Sequence, residues 1–163
     1  ILANQSFKVL QVDAENNDKD AQFLLGYFYA NGLATKVDYK EALKWYKKAI
    51  DNGHTDANYI YGMMHYNGYG VKASMKEALL WIDRAVAKGS VNALYVGGKL
   101  YRENSDAVAN ITGSSSGLQD YLSMATDKGH AAATSYYVRT LRTYSKWEEG
   151  PSTIGTKYGY IVN

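Results

Sequence analysis

Every 36 residues this chain returns to the same landmarks, and a period of that length restricts it to architectures that stack one small unit on the next. Ala21, Ala57 and Ala93 mark the step, as do Gly26, Gly62 and Gly98. Asn31-Gly32 returns as Asn67-Gly68, Trp45 as Trp81 and Gly53 as Gly89, while Lys40 to Leu43 returns unchanged as Lys76 to Leu79. Segments 21–56 and 57–92 agree at twelve of 36 positions, against roughly two expected from average composition. A third unit, 93–132, has its helix-ending glycine at Gly129, 40 residues after Gly89, so it carries about four additional residues between its helices. Residues 1–20 read as the end of an incomplete or capping repeat and 133–163 as a partial repeat with a C-terminal cap, making 1–163 a single repeat domain.

Each unit divides into two stretches of helical period, so the predicted fold class is all-α. In the first helix Ala21, Leu24, Leu25 and Phe28 fall on one face, repeated by Ala57, Ile60, Tyr61 and Met64 and by Ala93, Val96, Gly97 and Leu100. In the second, Tyr39, Ala42, Leu43, Tyr46, Ala49 and Ile50 form the apolar stripe, repeated by Met75, Ala78, Leu79, Ile82, Ala85 and Val86. One hairpin of this kind cannot bury both faces alone, and its neighbours must complete the core.

The punctuation agrees with that division. Asp38 to Glu41 and Ser74 to Glu77 have capping-box spacing, which predicts the starts of the second helices. Gly53, Gly89 and Gly129 follow the last periodic residues, with Lys88 and Lys128 beside them, as suits helix ends. Gly26, Gly62 and Gly98 lie inside helices, where glycine costs about 1 kcal/mol relative to alanine. The expected compensation is a close approach between helices, a notch admitting a bulky neighbour such as Trp45 or Trp81.

Composition narrows the function. With 46% hydrophobic and 21% charged residues the chain fits an ordinary folded domain, and no apolar run approaches the roughly 20 residues that span a bilayer, so membrane insertion is not expected. Net charge is +2 with no cluster of five basic residues, which argues against nucleic acid as a partner. The absence of cysteine removes a disulfide scaffold, a thiolate nucleophile and a Cys-ligated metal. The start at Ile1, without Met, is read as the removal of an upstream segment such as a signal peptide or another domain.

Catalysis needs acids, bases, nucleophiles or metals that converge, and the sequence offers no such set, so no catalytic residue, metal or cofactor is expected. His54 and His130 both follow helix-ending glycines, which reads as local turn chemistry, and His65 occupies a core-like slot. Gly68-Tyr69-Gly70 has no strand before it and reads as a repeat turn rather than a phosphate loop.

The repeated pattern resembles the Sel-one-like repeat family. Unit one supplies Ala21, Leu25-Gly26, Tyr29, Gly32, Lys40, Ala42, Trp45-Tyr46, Lys48-Ala49 and Gly53; unit two supplies Ala57, Gly62, Gly68, Gly70-Val71, Lys76, Ala78, Trp81, Arg84-Ala85 and Gly89. Departures are Ala34 for the second glycine of unit one, His65 for an aromatic residue, and Tyr121 where Trp is expected. The resemblance implies a right-handed α/α solenoid of helical hairpins that binds another protein. It further implies a bacterial, exported and periplasmic setting, with the cytoplasm as the alternative, and an immunity protein that neutralises a type VI secretion effector such as a periplasm-acting lipase.

Helical spacing marks a candidate partner face. Positions two, six and nine after each opening alanine share one side of the first helices: Phe23, Tyr27 and Ala30; Tyr59, Met63 and Tyr66; Tyr95, Lys99 and Arg102; then Ser135, Arg139 and Arg142. An aromatic row thus runs into a basic end. The same aromatic residues could instead pack between hairpins. The connection Glu103 to Gly117 is expected to be a loop, either a neutral insertion or a segment that folds onto a partner. The tail, with Pro151, Tyr158, Tyr160 and Val162, is expected to be extended and to cap the last hairpin. Three functions stay open at this point: an immunity factor binding one enzyme tightly, an assembly or signalling scaffold binding several partners weakly, and an enzyme or small-molecule receptor with a deep pocket.

Overall fold

A computed structural model describes residues 2–113 and 120–145. Among the described residues there are nine α-helices and no strands: α1 (Leu2–Glu15), α2 (Lys19–Asn31), α3 (Tyr39–Asp51), α4 (Ala57–Asn67), α5 (Met75–Ala87), α6 (Val91–Glu103), α7 (Ser105–Thr112), α8 (Asp120–Asp127) and α9 (Ala131–Ser145). Each helix from α1 to α6 packs on the next, then α6 packs on α8 and α8 on α9. The result is a solenoid: α2 with α3 and α4 with α5 are the two regular hairpins, α6 with α8 the third.

The second helices are held as their stripe predicts. Ala42, Tyr46, Ala49 and Ile50 are buried on α3, and Ala78, Leu79, Ile82 and Ala85 on α5, with Trp45 and Trp81 joining them. Each large side chain so removed from water contributes about 1.5–3 kcal/mol. The caps are those the spacing requires. Asp38 Oδ1 accepts from the Glu41 amide at 3.0 Å and Ser74 Oγ from Glu77 at 3.2 Å. The reciprocal half of the box is replaced, because the Asp38 and Ser74 amides donate back to the carbonyls of Tyr29 and His65, both at 2.9 Å. Those two bonds tie the start of each second helix to the end of its first.

The first helices depart from the predicted stripe. Leu24 is 46% exposed, and the position beside each opening alanine is buried instead: Gln22, Asn58 and Leu94. The cause is packing on two sides. Gln22 turns toward the preceding helix, donating from Nε2 to the Ala14 carbonyl at 3.0 Å, while its Oε1 accepts from Asn52 at 2.8 Å. The buried arc is therefore rotated toward the unit before.

The connection after Glu103 departs further. Residues 105–112 form α7 rather than a loop, because Val108 is fully buried in a cluster with Ala78, Leu79, Ile82, Leu100 and Tyr101. A stretch whose strongly apolar residues are only Val108 and Ile111 gives too short a period for sequence reading to find. Residues Ser114 to Gly117 and the tail with Pro151, Tyr158, Tyr160 and Val162 lie outside the described residues.

The internal glycines do mark close contacts, with the expected tryptophan beside Gly62 and other neighbours at Gly26 and Gly98. A Cβ on Gly26 would lie 2.7 Å from the Tyr46 ring, not against Trp45, and one on Gly98 would lie 2.6 Å from Leu122. At Gly62 it would meet the Ala78 carbonyl oxygen at 2.9 Å and Trp81 Cβ at 3.2 Å. Because that first obstacle is backbone, Gly62→Ala must push α4 from α5. We expect a loss of about 1–3 kcal/mol, read as a lowered urea midpoint. The loop glycines show the opposite case: Ala34 sits at φ 55 where unit two has Gly70 at φ 72. The left-handed conformation costs a residue with a Cβ about 1–2 kcal/mol, so Ala34→Gly is expected to raise the melting temperature despite glycine's freer unfolded chain.

Candidate protein-interaction face

The residues that open each first helix are fixed by a polar ladder that runs from unit to unit. The amide of each opening alanine is capped by the residue three before it. Asp18 Oδ1 accepts from Ala21 at 3.0 Å; His54 Nδ1 from Ala57, Ser90 Oγ from Ala93 and His130 Nδ1 from Ala133 all accept at 3.1 Å. A second set of contacts crosses each junction. His54 Nε2 lies 3.6 Å from Asp20 Oδ1, Ser90 Oγ donates to Asp56 Oδ1 at 2.6 Å, and His130 Nε2 meets Asn92 Oδ1 at 3.1 Å. Asp20, Asp56 and Asn92 are themselves one repeat apart, so one unit's residue 20 or its equivalent grips the next unit's cap.

This ladder uses His54, Ser90 and His130 as structural groups, the Ser90 hydroxyl donating to Asp56 and accepting from the Ala93 amide. Beside it lies an open polar cleft of about 530 Å³ whose walls include Lys19, Asp20, His54, Asp56, Lys88 and Asn92. Among the described residues, no group of three His, Cys, Asp or Glu side chains is placed to hold a metal. The arrangement is suited to joining units. Sequence reading found the turn positions of the two histidines but missed their capping role; the spacing of 18, 54 and 90, with Asp and Ser among the occupants, was the available signal.

The structure separates the predicted face into buried and exposed members. Phe23 stacks on His54 with ring centroids 4.3 Å apart and leans on Tyr46, while Tyr95 stacks on His130 at 4.8 Å. Tyr59, Met63 and Tyr66 are half-buried against the Ala78, Leu79 and Ile82 cluster of their own and the next hairpin. Burial, and then the charge of Asp56, raises the Tyr59 pKa. Ala30 packs against Ala42 and Tyr46. Position two of units one to three is thus a packing position, the alternative that sequence reading left open.

Position six behaves differently. Tyr27 is 47% exposed, Lys99 is exposed and lies 4.0 Å from Glu103, and Arg139 is exposed with its guanidinium 5.5 Å from the Tyr136 ring centre. Arg102 is half-buried and Ser135 exposed; Arg142 falls on α9, with its side chain outside the described residues. Leu24, which sequence reading assigned to the core, stands exposed one turn before Tyr27. The accessible face is therefore Leu24, Tyr27, Lys99 and Arg139, with Met63 half-buried on α4, narrower than the predicted one.

Further along the solenoid, Asp83 is a second anchoring point. Its Oδ1 accepts from the Tyr101 hydroxyl at 2.8 Å and from Tyr121 at 3.0 Å. Burial first and the Asp83 carboxylate second push the Tyr121 pKa up to about 12, and burial with the same hydrogen bond raises Tyr101. Both phenols stay protonated donors.

Two single substitutions test the division between packing and exposed positions. Phe23→Ala is expected to cost about 2 kcal/mol, below the ~3–5 kcal/mol of a fully buried phenylalanine because part of its surface remains in water. Tyr27→Ala should change stability by no more than about 0.5 kcal/mol. Urea denaturation of both variants distinguishes the two positions, and equal losses would contradict the assignment.

Comparison with known proteins agrees with this geometry. The Sel1 repeat model matches residues 19–54 and 55–90. The chain is similar to a Sel1 repeat protein from Oxalobacter formigenes, with 31% identity, a TM-score of 0.70, and coverage of 80% of this chain and 51% of that one. It is similar to a protective antigen of uropathogenic Escherichia coli with an SLR fold, at 27% identity and a TM-score of 0.65, covering 78% of this chain and 26% of that one. It also resembles cysteine rich protein B of Helicobacter pylori, at 33% identity and a TM-score of 0.50, covering 53% and 65%. No curated protein matches. The chain spans about half the length of the first solved relative and about a quarter of the second. Residues 19–90 thus hold two Sel1 repeats at the 36-residue step, and the hairpins of this chain stack as in these Sel1 and SLR relatives.

Proposed function

We propose that this chain binds a protein partner along the exposed face of its first helices, with Leu24, Tyr27 and the half-buried Met63 supplying apolar contact and Lys99 and Arg139 a basic end. Sel1 repeats are protein-interaction modules. The observation that carries the reading is the exposure of Leu24 and Tyr27 one turn apart on α2. Scattered exposed apolar residues are ordinary, but a Tyr and a Leu on one helical face, continued by Met63 on the next first helix, make the anchor type that interfaces favour. In its specific form the proposal takes from the family resemblance that the chain is an exported bacterial immunity protein and that the partner is a toxic effector enzyme, such as a periplasm-acting lipase of a type VI secretion system.

Affinity capture from the source organism, followed by calorimetry with the isolated partner, tests both levels. A Tyr27→Ala/Lys99→Glu/Arg139→Glu variant, which leaves the packing positions Phe23, Tyr59 and Tyr95 intact, is expected to keep its helical circular dichroism and to bind at least tenfold more weakly. Unchanged affinity would remove the first-helix face as the site. A single tightly bound hydrolase would support the immunity reading, whereas several weak partners would replace it with an assembly scaffold.

A further inference from the structure

His54 and Ser90 occupy the same position in successive units and cap the equivalent opening amide at the same 3.1 Å, yet one of them is an imidazole that can take up a proton and the other a hydroxyl that cannot. That contrast bears on the junction between α2 and α4. To accept from the Ala57 amide, Nδ1 of His54 must hold a lone pair, which puts the ring hydrogen of the neutral imidazole on Nε2, facing Asp20. A second proton can enter only at Nδ1. It would then set N–H against N–H across 3.1 Å and bring a positive charge to the N-terminus of α4, where the helix dipole already presents its positive end. The same imidazole forms the stack with Phe23, so the cap, the contact across the junction and the aromatic packing all depend on one ring.

We infer that the first junction is a proton-sensitive joint, in which neutral His54 latches the first turn of α4 to α2 and protonated His54 releases it. This goes beyond partner binding and does not depend on it. The charged groups around the ring pull in opposite directions. Asp20 of α2 and Asp56 before α4 favour the imidazolium, Lys19 of α2 opposes it, and Lys88 stands in the wall of the same cleft. Burial outweighs the carboxylates and holds the His54 pKa below its usual value. The unfolded chain, titrating near 6.5, therefore takes up its proton before the folded one does. The contribution is fully present above pH ~6.5 and is lost as the pH falls from there through the folded pKa. His130 repeats the geometry toward Ala133 and Tyr95, with the neutral amide of Asn92 in place of Asp20.

The chain carries its own control in Ser90. In ¹H–¹⁵N NMR between pH 7.5 and 5.0, the Ala57 amide is expected to shift with a single inflection and to lose at least tenfold in hydrogen-exchange protection, while Ala93 stays within about twofold. The imidazole ¹⁵N signals at pH 7.5 should show an unprotonated Nδ1. His54→Ser, which copies the cap of the next unit and should fold for that reason, is expected to abolish the Ala57 response. The inference is overturned if Ala57 and Ala93 lose protection together, if Nδ1 carries the hydrogen at pH 7.5, or if the response persists in the folded His54→Ser variant.

Discussion

Two helices can bring their backbones together only where one of them has no side chain at the crossing. In this chain Gly62 meets the backbone of Ala78, Gly26 receives the Tyr46 ring, and Gly98 receives Leu122. Ala42, Ala49, Ala78 and Ala85 extend the same economy of volume along the second helices, all fully buried. Once the hairpins close this tightly, their outer surfaces come within reach of the next unit, and the Trp side chains fill the step between units. Trp45 packs against Ala14, Ala21 and Leu25, and Trp81 against Ala49, Ile50 and Ala57. The period of 36 follows from keeping both contacts in register: a glycine crossing inside the hairpin and a tryptophan between hairpins.

That register leaves little room for unsatisfied polar groups at the turns, and the ladder of caps meets the need. Each junction must supply an acceptor for the opening amide of the next helix and hold that acceptor still. Asp18, His54, Ser90 and His130 do the first, and Asp20, Asp56 and Asn92 do the second for the last three of them. The chemistry is interchangeable at the cap because only a lone pair at the right distance is required. It is less forgiving in the core: His65 stands where units one and three have Tyr29 and Tyr101, and both of its buried ring nitrogens lack a partner among the described residues. Tyr101 solves the same problem by reaching Asp83.

How far the fold was legible follows from the same distinctions. Hairpin order, second-helix stripes, caps at Asp38 and Ser74 and left-handed stops at Gly53, Gly89 and Gly129 are local or periodic, and all could be read from residue types at fixed spacing. Leu24 was misplaced because a helix packed on two sides buries an arc rotated from the one a single hairpin would bury, and Gln22, a polar residue, occupies the buried slot. Helix α7 was missed because its one deep contact, Val108, is with residues of α5 and α6 rather than with its own periodicity. On the candidate face, spacing grouped Phe23 with Tyr27 but could not show that one is stacked on a histidine 31 positions further along and the other is exposed.

A repeat chain divides its positions into those that set the joint and those that the joint leaves alone. Position two after the opening alanine is aromatic in units one to three, Phe23, Tyr59 and Tyr95, since it must cover the junction wherever it occurs. Position six is Tyr27, Met63, Lys99 and Arg139, four different chemistries at one structural address. Packing constrains it least at both ends of the described array, where Tyr27, Lys99 and Arg139 are exposed, and somewhat at Met63. A residue freed from the needs of stacking can change without loss of the fold, and the chain has used that freedom to run from an apolar to a cationic surface. The gradient is a property of the assembled solenoid, because no single unit contains both ends of it, and a partner that reads it must span at least three first helices.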